Sequence, residues 1–186
     1  MRMPGMGWET LIDGDKGLEN FERVGDANWR AEGSAIVADR GKSGFLVSKQ
    51  AYKDFELRAE FWAESDTNSG VFIRCNNREK IDSKNCYEVN IWDDRPEKDY
   101  ATGAIVGVAK VDPMPKSVGQ WNVYEITAKG DTFTIVLNGK KTVEGKDNKH
   151  AKGVIALQHG LGNKDAAGVA NDKGVIKFRK VEIKAL

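Results

Sequence analysis

Residues 55–64 read Phe55-Glu56-Leu57-Arg58-Ala59-Glu60-Phe61-Trp62-Ala63-Glu64, with apolar side chains at the odd positions and mostly charged ones at the even positions. A period of two is that of a β-strand with one dry and one wet face, not of a helix. Similar short runs recur at Ala35–Ala38, Phe45–Ser48, Gly70–Cys75, Tyr87–Trp92, Ala104–Ala109, Asn122–Ala128, Thr132–Leu137, Lys140–Glu144, Val154–Gln158 and Val175–Ile183. Asn138-Gly139 between two such runs predicts a hairpin, because both residues tolerate the positive φ that a type I′ turn demands. Only Gly17–Val24 suggests a helical turn or two. Ten or eleven strands joined by tight turns, without crossover helices, predict an all-β fold: an antiparallel two-sheet jelly-roll sandwich.

The chain is 186 residues long, with 29 basic and 28 acidic side chains. A chain of this size buries roughly 70% of its unfolded surface, enough for a core without metal or disulfide staples. We expect a tail at residues 1–7 and one domain over residues 8–186. A net charge of +1 supplies no field to attract nucleic acid, which is excluded as a partner. No window has the roughly 18–20 apolar residues of a membrane span. The start, Met1-Arg2-Met3-Pro4-Gly5-Met6, lacks the apolar stretch of a secretory signal, so a cytoplasmic location or a removed leader is expected.

Strand parity places the candidate site. In Tyr87–Asp93, Tyr87, Val89 and Ile91 share a core face, and Glu88, Asn90 and Trp92 share the other. In Gly70–Cys75, the same alternation turns Val71, Ile73 and Cys75 inward and Phe72 and Arg74 outward. If the two strands pair, Phe72, Arg74, Glu88, Asn90 and Trp92 form one surface. Aromatic rings there suit the C–H face of a pyranose, and planar Arg, Asn and carboxylate groups suit its hydroxyls. The plainer alternative is a solvated face with an Arg74–Glu88 ion pair.

Six phrases, in order, resemble the bacterial 3-keto-disaccharide hydrolase domain family: Asp54-Phe55-Glu56-Leu57, Asn68-Ser69-Gly70-Val71-Phe72-Ile73-Arg74, Tyr87-Glu88-Val89-Asn90-Ile91, Thr102-Gly103-Ala104-Ile105, Trp121-Asn122-Val123-Tyr124-Glu125-Ile126 and Ala156-Leu157-Gln158-His159-Gly160. The likeness runs from near Trp8 to the C-terminus. It implies a concanavalin A-like lectin/glucanase fold, a periplasmic or secreted location, and action on glycosides whose C3 hydroxyl has been oxidised to a ketone. Glucanases of this fold carry a Glu-x-Asp-x-Glu strand, whereas here the matching strand is Glu88-Val89-Asn90-Ile91-Trp92, with one carboxylate of three. Hydrolysis through an oxocarbenium-like state normally uses two. A 3-keto sugar offers another route, since the ketone acidifies the C2 proton and the C1 substituent then leaves by elimination before water adds.

That chemistry needs a base, a stabiliser for the enolate and a donor to the leaving group. The expected assignments are Glu88 as base, Arg74 as stabiliser, and His159 or Asp93 as donor. Asn90, Trp92, Lys110, Gln158 and Phe72 would bind the sugar. His159 beside Gly160 also reads as a plain loop imidazole, and His150, flanked by lysines, as a solvated one. Asp93-Asp94 serves equally as turn chemistry. No metal motif is present and no cofactor is expected, although a calcium site built from loop carbonyls would leave no trace in sequence. Cys75 and Cys86 bracket a ten-residue loop, but parity puts them on opposite faces of a regular ladder, so a bridge requires the ladder to break and stays open. The alternative to an enzyme is a carbohydrate-binding module using the same face.

Overall fold

The computed structural model describes residues 7–186, so the expected tail at 1–7 lies outside the described residues apart from Gly7. Thirteen strands are present among them: β1 Trp8–Asp13, β2 Phe21–Gly25, β3 Arg30–Glu32, β4 Ala35–Asp39, β5 Gly44–Tyr52, β6 Phe55–Ala63, β7 Asn68–Cys75, β8 Tyr87–Ile91, β9 Trp121–Lys129, β10 Thr132–Leu137, β11 Lys140–Lys146, β12 Gly153–Gly160 and β13 Val175–Ala185. They form two antiparallel sheets. One has eight strands in the order β11-β10-β9-β6-β13-β4-β3, with β1 also on β13, and the other has five in the order β2-β5-β12-β7-β8. No helix among the described residues is long and apolar enough to cross a membrane.

The alternation in β6 sets the layering. Phe55, Leu57, Ala59, Phe61 and Ala63 are buried and meet Val71, Ile73, Val89, Ile155 and Leu157 of the smaller sheet in one core, while the even positions of β6 stay partly wet. Asn138 and Gly139 take φ of 52° and 82° and close the β10–β11 hairpin as their chemistry requires. Two expectations are corrected. Residues 17–24 give a single 3₁₀ turn, Leu18–Asn20, and then β2. Residues 104–109 form no strand, because Gly103 and Gly107 turn the chain with φ of 97° and 74°, leaving Ile105 in isolated bridges to Val89 and Ala109.

A departure from regularity lies in β7. Phe72 and Cys75 oppose Ala156 and Val154 of β12, so three steps on one strand match two on the other and one residue is extra. Arg74 takes up the bulge with a left-handed φ of 51°. Gly153 faces it, and a Cβ there would meet the Cys75 carbonyl oxygen at 2.2 Å.

Candidate functional site

Directly opposed residues on antiparallel strands share a face, so the register writes out the outer surface of the five-stranded sheet row by row. One row is Glu88–Phe72–Ala156–Val47–Glu22, crossing β8, β7, β12, β5 and β2. The next is Asn90–Gly70–Gln158–Phe45–Val24. Residues 76–86 lie over the first row. Their Ile81 packs with Phe72, Val47, Ala156 and the Cys75–Cys86 bridge, and Arg78 reaches Glu22 at 3.4 Å and the Lys49 carbonyl at 3.2 Å. The second row stays half open from Gln158 to Val24.

Glu88 is half-buried at the end of the covered row. No hydrogen bond or ion pair holds its carboxyl among the described residues; only its main-chain oxygen is engaged, by Val106 N–H at 3.0 Å. Burial pushes this carboxyl up to about 7; the Arg95 guanidinium pulls the other way and the Asp82 carboxylate adds to the rise. An acid poised near neutrality without a fixed partner is the usual state of a group that exchanges protons with a ligand.

Trp92 follows the last residue of β8, and its main-chain N–H donates to Thr102 Oγ1 at 2.8 Å. Its indole N–H donates to Asp66 Oδ1 at 2.9 Å, and Arg95 lies 6.0 Å from its ring centre. Burial opposes charge on Asp66, but hydrogen bonds from Asn171, Trp92 and Asn163 outweigh it and hold the carboxyl below its ordinary value. Asn90 is 0% exposed; its Nδ2 donates to the Tyr100 carbonyl at 2.8 Å and its Oδ1 has no partner. Gln158 Oε1 is also unpartnered, and Gly70 lies between the two amides. Phe72 is buried as the site's floor, with Phe45 edge-on to it at 5.4 Å.

Four expected residues lie elsewhere or are already engaged. Arg74 is turned off the Glu88 face by the bulge and is 1% exposed. Its guanidinium donates to the carbonyls of Lys53, Gly130 and His150 and to Asp54 Oδ1 at 2.6–3.2 Å, tying three inter-strand loops together. His159 falls on the core side of β12, 0% exposed, with its ring nitrogens 3.2 Å from the carbonyls of Lys42 and Gly174. Asp93 accepts from Thr102 Oγ1, Ser117 N, Ser117 Oγ and Val118 N, so its carboxylate is spent on joining two loops. Lys110 is exposed, 3.7 Å from Asp99, and nothing links it to Glu88. His150 is buried, against expectation, with Nε2 2.8 Å from the Lys84 carbonyl.

The bulge also answers the cysteine question. By reversing parity after Ile73 it moves Cys75 to the outer face, where Cys86 already lies, and the two are bonded with Cα atoms 4.2 Å apart. Among the described residues no three His, Cys, Asp or Glu side chains gather closely enough to hold a metal ion. Sequence reasoning missed Arg95, Asp66, Phe45 and Val24. Arg95 was within reach, since a turn from Trp92 brings residue i+3 back beside it; the others are joined to the site only by register and long-range bonds.

The fold is shared with proteins that handle sugars. A proposed glycosyl hydrolase of Parabacteroides distasonis superposes with a TM-score of 0.72 at 26% identity, over 96% of this chain and 99% of its own. A second from the same organism gives 0.66 at 17% identity, over 97% and 89%. Carbohydrate-binding module 66 of Bacillus subtilis gives 0.60 at 17% identity, over 96% of each chain. No curated protein matches the sequence. Residues 7–184 match the family described as the 3-keto-alpha-glucoside-1,2-lyase-like domain, and the chain therefore belongs to that family.

Proposed function

We propose that this protein is a carbohydrate-active enzyme that cleaves 3-keto-glycosides by elimination, with Glu88 as the base. The observation that carries the reading is the Glu88 carboxyl itself: half-buried, without a hydrogen-bonding partner among the described residues, and raised to about 7 beside the half-open row. Its carboxylate takes the C2 proton, and the electron pair of that bond moves into an enolate carried on the C3 oxygen. The enolate then expels the C1 substituent with the electrons of the C1–O bond. Water adds to C1 of the unsaturated ketone and a proton returns to C2, so the net change is hydrolysis. Arg95, whose charge reaches Glu88 and whose guanidinium also pairs with Glu97 at 3.3 Å, is the cation we assign to offset the enolate. The family described as 3-keto-alpha-glucoside-1,2-lyase-like supports this class of substrate, and the 26% identity to a proposed glycosyl hydrolase supports action on a carbohydrate. The Cys75–Cys86 bridge fits action in an oxidising compartment such as the periplasm.

Ordinary two-carboxylate hydrolysis is disfavoured by distance. Glu22, the other carboxylate of Glu88's row, lies four strands away, roughly 19 Å at about 4.8 Å per strand, against the roughly 5–10 Å such enzymes use. Asp66 accepts hydrogen bonds on both carboxylate oxygens, and Asp82 is bonded through Oδ1 to the backbone and side chain of its own loop. This lone carboxylate is also what favours the second reading, a binding module. Incubation with a 3-keto disaccharide and a 3-keto aryl glucoside, each beside its unoxidised parent, separates the two. Release of the C1 substituent from at least one keto compound and from neither parent supports the enzyme; binding without release supports the module.

A further inference from the structure

Beyond Gln158, the half-open row changes character. At β8 it begins with Asn90, close to Glu88, Trp92 and Arg95, and all of these are polar or carry a polar tip. At β5 and β2 it ends in Phe45 and Val24, two half-buried apolar side chains packed against the satellite cluster of Phe72, Val47 and Ile81. Of the charged groups bordering that end, Glu22 is held by Arg78, and Arg78 is also bonded to the carbonyls of Ser48 and Lys49. On the far side of Glu88, the sheet edge is closed by residues 103–106, whose backbone bonds to β8. The half-open row thus leads from the neighbourhood of Glu88 toward β2, where a ligand reacting at Glu88 can extend.

We propose, resting on the role given to Glu88 above, that Phe45 and Val24 form the leaving-group subsite and that the substrates are 3-keto-glycosides of an aryl or similarly apolar alcohol in preference to 3-keto-disaccharides. A base that takes the C2 proton lies next to C1, so with the sugar ring among Asn90, Trp92 and Arg95 the C1 oxygen points toward Gln158 and the group it carries rests on Phe45 and Val24. A second pyranose would bring hydroxyls there and find no donor or acceptor beyond Gln158 on that row. The state of the two expected donors points the same way. His159 and Asp93 are committed elsewhere, so departure is easiest for an oxygen that leaves as a stable anion, as an aryl oxide does, the C1–O electron pair going with it and the proton arriving from solvent.

The test compares kcat/KM for a 3-keto phenyl glucoside and a 3-keto disaccharide in the wild-type protein, Phe45→Ala and Val24→Ser; the second variant, at a half-exposed edge position, guards against misfolding of the first. Because each substrate is compared with itself, intrinsic leaving-group reactivity cancels. We expect both variants to lose about tenfold on the phenyl substrate while staying within about twofold on the disaccharide. Equal losses on both substrates, or none, overturn the proposal. If the wild-type protein releases nothing from either compound, the role of Glu88 fails, and the subsite is judged by binding of phenyl and methyl glucoside followed by NMR. About tenfold tighter binding of the phenyl compound, abolished in Phe45→Ala, supports it, and equal or absent binding overturns it.

Discussion

The Trp92 indole and the Asp66 carboxylate are bonded at 2.9 Å, and the same carboxylate collects Asn163 N, Asn163 Nδ2 and Asn171 Nδ2 while Asp66 N–H donates to Asp94. One left-handed residue, φ 53°, thus joins the β6–β7 turn, the segment after β8 and the long β12–β13 loop, and sets the orientation of the ring that borders the site.

Removing that hub has a measurable cost. Asp66→Ala removes four partly buried hydrogen bonds, and we expect a loss of roughly 2–4 kcal/mol in urea unfolding, given about 1 kcal/mol for each net bond. Amide exchange should quicken across residues 161–171. Trp92→Phe, which keeps a ring and removes only the N–H, should cost about 1 kcal/mol. A hub that contributes little would show neither the stability loss nor the faster exchange.

Glu88→Gln should cut turnover of a 3-keto-glycoside by about 10²–10⁴-fold, the usual worth of a positioned base. In the wild-type protein kcat/KM should rise with pH through about 7 as the carboxyl ionises. Stability runs the other way. The ordinary carboxyl value is 4.5 and the folded value about 7, so between these the folded protein holds a proton that the unfolded chain has released. Raising the pH through that window therefore costs stability, on the order of 1–3 kcal/mol. Glu88→Gln removes the titration, and we expect it to melt higher than wild type at pH 8 and about level with it at pH 4. A wild-type stability curve flat from pH 4 to 8 would contradict the burial of this group.

Arg74→Ala strands Asp54 and three loop carbonyls, and breaking a buried pair of this kind typically costs about 3–5 kcal/mol. Arg74→Lys should recover part of that, since an ammonium cannot span four acceptors set around a planar fork. Once corrected for the folded fraction, both variants should keep the wild-type KM, because the arginine does not face the Glu88 side of the sheet. A raised KM in the fully folded variant would return Arg74 to the site.

Replacing Cys75 and Cys86 with serine opens the loop that lies over Glu88's row. Chain entropy alone assigns about 3 kcal/mol to closing a loop of this length. We expect a lower melting temperature and faster exchange at residues 76–86. With Ile81 and Asp82 freed, Glu88 should return toward 4.5, moving the acid limb of the pH–rate profile downward. An unmoved limb would show that the loop does not govern the carboxyl's environment.

How far the sequence was legible follows from the range of the forces involved. Period two in β6 and the Asn138-Gly139 turn are local, and both read correctly. The shared face of Glu88 and Asn90 also followed from alternation alone. Strands β1, β2 and β3 were not recognised, being short or weakly alternating segments, Trp8–Asp13, Phe21–Gly25 and Arg30–Glu32, that owe their form to neighbouring strands. Arg74 was misplaced because alternation assumes an unbroken ladder, and nothing in Ile73-Arg74-Cys75 announces an extra residue. Asp93 and His159 have types suited to proton transfer, and only their long-range partners, Ser117 at 24 positions and Lys42 at 117, reveal that these groups are occupied.

The single residue inserted at Arg74 has an outcome for how this hairpin can vary. Deleting it would restore strict alternation, send the sulfur of Cys75 toward the interior, and withdraw the guanidinium from the three loops it binds. The covalent staple and the loop clamp are thus two results of one count along the chain. Related chains should gain or lose them together, and a length change of one residue between Phe72 and Cys75 should be far less tolerated there than in the exposed turns at either end of the sandwich.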